Sequence, residues 1–66
     1  ALVDKIKEEY NRNFNFKKAI DNYINEFEQI LKNINTKNDP NGVFNALQTN
    51  SGIVYTVLAN ITGRIS

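Results

Sequence analysis

Residues 16–35 read FKKAIDNYINEFEQILKNIN, and the spacing of their apolar members decides the fold class. Phe16, Ile20, Tyr23, Phe27, Ile30 and Ile34 recur at alternating intervals of four and three, which is the stripe of an amphipathic helix. Ala19, Ile24 and Leu31 widen that stripe on one side, and Lys17, Lys18, Asp21, Asn25, Glu28 and Lys32 collect on the opposite, solvated side. The same rhythm extends back through Leu2 and Ile6, with polar lapses at Glu9 and Asn13. The stretch Asn11-Arg12-Asn13-Phe14-Asn15 is poor in helix formers, and Asn13 or Asn15 is able to cap a new helix. Residues 2–35 therefore read either as one long helix or as a short helix followed by a longer one.

Forward of this segment, NTKNDPNG at 35–42 is a break. Asp39 before Pro40 sets a capping side chain ahead of a residue favoured at the first helical position, while Asn41-Gly42 is a turn signal that would start the helix slightly later. The four-three rhythm then resumes at Phe44, Leu47, Ser51, Val54, Leu58, Ile61 and Ile65, flanked by Val43 and Val57. Gly63 stands where a helix C-cap is expected, and Arg64 suits the negative end of the helix dipole. Ile53-Val54-Tyr55-Thr56-Val57 is β-branched and aromatic enough for a strand. Helix is the better reading, because a lone strand in this chain has no partner except another copy of itself. Ser51-Gly52 is a point at which this second helical region could divide. The expectation is an all-α fold, an antiparallel helical hairpin or a small bundle of three to four short helices. It forms a single domain over residues 1–66, with helical segments at about 2–35 and 40–63 and a turn at 36–42.

Composition narrows the function classes. Sixty-six residues sit near the lower limit for independent folding, where one core rarely leaves more than about 3–5 kcal/mol of net stability. Disulfides are excluded by the absence of Cys, and the common zinc sites by the absence of both Cys and His. The nucleophile–base pairs that use those residues are excluded too, and the acids do not converge as a pair suited to acid–base work. Three glycines spaced ten and eleven apart form no phosphate loop. No catalytic residue, metal ligand or cofactor is expected, and the chain does not read as an enzyme.

Charge is distributed unevenly. Residues 1–35 carry six basic and six acidic side chains, whereas none is charged between positions 40 and 63. Asn41, Asn45, Gln48, Asn50, Ser51 and Asn60 interrupt that uncharged window, whose longest apolar run, 53–59, is far short of the roughly 20 residues of a membrane span. A soluble chain is expected, with no span and no secretory leader in residues 1–9, which include acids and no long apolar run. Leu47, Gly52, Ile53, Leu58 and Ile61 approach the spacing of a helix-turn-helix DNA reader, with the turn at Gly52 and a recognition helix over 54–62 within the segment 44–64. Groove binding rests on several Lys and Arg contacts to phosphate, and only Arg64 is at hand, so nucleic acid is the lesser alternative.

Association is the reading that remains. A two-helix hairpin does not bury a wide stripe on each helix by itself, and a second copy is the natural cover. The polar side chains interleaved in 41–62 can hydrogen-bond across such an interface. The residues expected to form core or interface are Phe16, Ile20, Tyr23, Phe27 and Ile30 from the first half, with Phe44, Leu47, Val54, Leu58 and Ile61 from the second. A charged helix, the turn Asn38-Asp39-Pro40 and a second helix bearing Leu47-Gln48 resemble the needle subunits of type III secretion systems over less than half the chain. The second helix is shorter than in that family, and the resemblance implies assembly from identical copies.

Overall fold

A computed structural model describes residues 1–37 and 40–64, and the expected cap at Asp39 and the seam position Ile65 lie outside them. Four helices follow in chain order: α1 (Leu2–Arg12), α2 (Phe14–Thr36), α3 (Pro40–Leu47) and α4 (Asn50–Ile61). No strand occurs among the described residues, so the β-branched run 53–57 is helical. The fold is all-α, a small bundle rather than a two-helix hairpin.

Each junction has a local cause. Asn13 is extended (φ −105°, ψ 108°) and its side chain accepts a hydrogen bond from the Phe16 amide at 3.1 Å. The asparagine thus ends α1 and caps α2, a contribution of about 1 kcal/mol for a cap of this kind. Two helices, not one, occupy 2–36. α3 begins at Pro40, so Asn41 and Gly42 fall inside its first turn and not in a loop before it.

The division of the second half comes at Gln48 and Thr49, not at Ser51-Gly52. The Thr49 hydroxyl donates to the Ala46 carbonyl at 2.7 Å and accepts from the Gly52 amide at 3.0 Å. A single side chain thereby satisfies a carbonyl at the end of α3 and an orphan amide at the start of α4. α4 ends at Ile61 with Thr62 as its C-cap, followed by Gly63 at φ 79°. The Arg64 amide reaches back to the Ala59 carbonyl (2.8 Å) and the Gly63 amide to that of Asn60 (3.2 Å), the paired bonds of a Schellman turn.

α2 is the spine. Its 23 residues correspond to about 34 Å of helix, most of the 39 Å long axis of the molecule. α1 folds against its first half, where the Tyr10 hydroxyl donates to Asp21 at 2.5 Å and the Lys17 ammonium lies 4.5 Å from the Tyr10 ring centre. α4 crosses its middle: the Tyr23 hydroxyl donates to the Ser51 carbonyl (2.7 Å), and the Phe27 and Tyr55 rings stack 4.9 Å apart. The Tyr55 hydroxyl donates to Glu28 (3.0 Å), and Arg64, just past α4, reaches both Asn25 and Glu28.

The core is small. Among the described residues Ile20, Ile24, Phe27, Tyr55 and Ala59 are the buried apolar side chains, and Ile24 alone among the large ones is completely enclosed. Tyr10, Phe16, Tyr23, Leu31, Ala46, Leu47 and Leu58 pack around them at half-burial. α1 contributes no buried residue.

Candidate interaction surface

The buried face of α4 is made by Gly52, Tyr55 and Ala59. Each stands one residue beyond a member of the expected seam (Ser51, Val54, Leu58), a rotation of about 100° about the helix axis. Sterics explain the shift. A side chain at position 52 would run its Cβ into the Ala46 carbonyl oxygen and to 2.7 Å from the Leu47 backbone, so only glycine lets α4 pass this close to α3. The closest approach selects the small residues, and the larger β-branched ones turn outward.

The residues expected to form core or interface therefore separate into three groups. Ile20 and Phe27 are buried; Phe16, Tyr23, Leu47 and Leu58 pack at half-burial against them. Ile61 is half-buried but stands outside that cluster, beside α1. Ile30, Phe44 and Val54 are exposed, Phe44 at 60%. Ile24, Tyr55, Ala59 and Gly52 complete the packing, although the four-three seam passed beside them.

Ile53, Val54 and Val57 are all about half exposed, and with Ile61 they form a continuous stripe on the side of α4 opposite Gly52, Tyr55 and Ala59. Val57 and Ile61, with Asn60, form one wall of an open groove of about 290 Å³ whose other wall is Val3 and Lys7 of α1. A second depression, about 170 Å³, is lined by Tyr23, Glu26, Phe27, Ile30 and Ser51. Apolar residues on two opposite faces leave α4 without a clear amphipathic sense, and each apolar face of a helix is ordinarily covered.

The polar side chains of α4 do not offset this. The Thr56 hydroxyl donates to the Gly52 carbonyl (2.9 Å), the Asn60 amide to that of Thr56 (2.9 Å), and the Thr62 hydroxyl to that of Leu58 (2.9 Å). The hydrogen bonds of these three side chains return to their own helix or its end.

Electrostatics elsewhere is that of a solvated surface. Hydrogen bonds from Arg12, then Asn13, hold the Glu9 carboxyl below its usual value. Its bond with Tyr10 chiefly raises the Lys17 ammonium. Tyr55 is pushed up by burial first and by its bond to Glu28 second. No group of three acidic, His or Cys side chains gathers among the described residues, and no helix there is long and apolar enough to cross a membrane.

The helix-turn-helix spacing set its turn at Gly52, whereas the break falls at Gln48 and Thr49, Gly52 lies in the first turn of α4, and Ile53 is half exposed. The resemblance to secretion needle subunits also ends here, since Gln48 occupies a break between two short helices. No family model, no curated protein and no solved structure matches this chain.

Proposed function

We propose that this chain is a non-catalytic helical interaction module that associates with copies of itself. The observation that carries the reading is α4: no charged residue anywhere along it, and an apolar face turned away from its own core. Exposed apolar patches of this kind, absent a polar reason for them, are covered by other proteins. The small core agrees, since five buried side chains leave little margin at this chain length and association adds stability by mass action.

Light scattering across a concentration series, with helicity followed on the same samples, tests the proposal. A discrete mass of two or more chains, gaining thermal stability with concentration, is the expected outcome. A single-chain mass and a concentration-independent melting temperature throughout would remove it.

A further inference from the structure

We infer that two copies meet through the outward face of α4, in a two-fold contact centred on Val57, an interface that rests on the self-association reading and specifies it. In an antiparallel contact about that point, Ile53 of each copy meets Ile61 of the other. The partner's Ile53 then comes to the open groove between α1 and α4.

The amount of uncovered surface is what a second copy would remove. A chain of 7.6 kDa folded as a complete globule exposes about 4,300 Å². This one exposes 4931 Å², an excess of roughly 600 Å². Its radius of gyration is 13.0 Å against about 11 Å for a compact domain of this length. A standard interface takes about 800 Å² from each partner, so one contact of ordinary size accounts for the excess.

Charge then selects the occupant. A two-fold contact sets every residue near the axis against its own copy, so any ionised group there meets a like charge. The Ile53, Val54, Val57 and Ile61 face has no acidic or basic side chain on its helix, whose one titratable group, Tyr55, points inward, and it is compatible with itself. Lys7, across the groove, is exposed and reaches solvent along its flexible stem. The competing depression at Ile30 has Glu26 on the same helix as its apolar wall, whereas the α4 face has no acidic or basic side chain on its own helix. Phe14 and Leu2, though more exposed, lie on the charged helices α2 and α1.

The chain contains no cysteine, so a single one introduced at the axis reports the contact directly. Val57→Cys under mild oxidation is expected to give a covalent dimer, because residues at a two-fold axis bring their Cα atoms within the roughly 7 Å that a disulfide requires. Ile30→Cys and Phe14→Cys are expected to remain uncrosslinked under the same conditions. Val57→Lys should keep its helicity, since the position is half exposed, and should weaken association about 100-fold or more by setting two ammonium groups face to face. If the parent associates but Val57→Lys keeps the parent's mass, or if Ile30→Cys crosslinks faster than Val57→Cys, this interface is wrong while self-association stands. Should the parent be a single chain at every concentration, both fall together. Were Val57→Lys to lose its helicity, the crosslinking comparison decides alone.

Discussion

α2 and α4 are both rich in apolar residues, yet they find their buried faces by different rules. On α2, exposed charges mark the outside at Lys17, Lys18 and Lys32, whereas Ile20, Ile24 and Phe27 are buried and Glu28 faces α4. On α4 nothing is charged, and the inside is chosen by how closely the backbone can approach its neighbours. Gly52 and Ala59 go in because they are small, Tyr55 because it stacks on Phe27, while Ile53, Val54 and Val57 are left outside. In a helix without a polar face, steric closeness outranks hydrophobicity in fixing the rotation. The hydrophobic side chains excluded by that choice become available to a partner.

The largest expected effect breaks the steric half of this comparison. Gly52→Val places side-chain atoms where the Ala46 carbonyl and the Leu47 backbone already lie. A cost above about 3 kcal/mol is expected, comparable with the whole net stability of a core this size. Circular dichroism should show the cooperative thermal transition lost or displaced far downward. A variant melting like the parent would mean that α4 does not pack through its small residues. Next in size is the contrast within α2. Ile24→Ala should cost about 3 kcal/mol, as expected for truncating an enclosed isoleucine, whereas Ile30→Ala should cost less than about 0.5 kcal/mol. Urea midpoints measure both, and equal losses would put the buried face of α2 back on the four-three seam.

The unequal legibility of the two halves has the same origin. Around α2 the polar side gives the amphipathic direction from residue types alone, although the centre of burial lies on the Ile24 flank of the seam. The division at Asn13 was legible as a possibility, because asparagine caps well and its neighbours are poor helix formers, but periodicity continues across it and does not choose. The helical state of 53–57 followed from the lack of any strand to pair with. Gln48 and Thr49 were not legible as a break. Ser51-Gly52 carried the stronger turn signal, yet the Thr49 hydroxyl bridges α3 and α4 three residues ahead of Gly52, which is needed for contact and not for a turn. In the candidate surface, Val54 and Ile61 were identified by spacing. Val57 stands beside the seam, Ile53 reads as part of a strand-like run or of a helix-turn-helix spacing, and Val3 carries no signal that it would face α4.

The smallest effect sharpens the comparison at the point where the two helices exchange a polar contact. Tyr55 is the residue of α4 that reaches from its inward face to the charged side of α2, donating to Glu28 at 3.0 Å. Burial, and then that bond to a carboxylate, raise its pKa above the ordinary 10.0. The folded state thus holds the phenol proton more tightly than the unfolded chain. The stabilisation is fully present below about pH 10 and is lost as pH rises through the folded-state value. Tyr55→Phe keeps the stacking on Phe27 and removes the hydroxyl, so at neutral pH it should cost only about 1 kcal/mol. As pH rises past 10 the parent loses stability that the variant never had, and the difference between their urea midpoints should shrink. Lys17, raised by its own bond to Tyr10, contributes a loss of the same sign in both proteins and cancels from that difference. A gap that stays constant across the alkaline range would show that the hydroxyl is not held between the helices. In that case the fit of α4 to α2 would rest on its small residues and the ring stack alone.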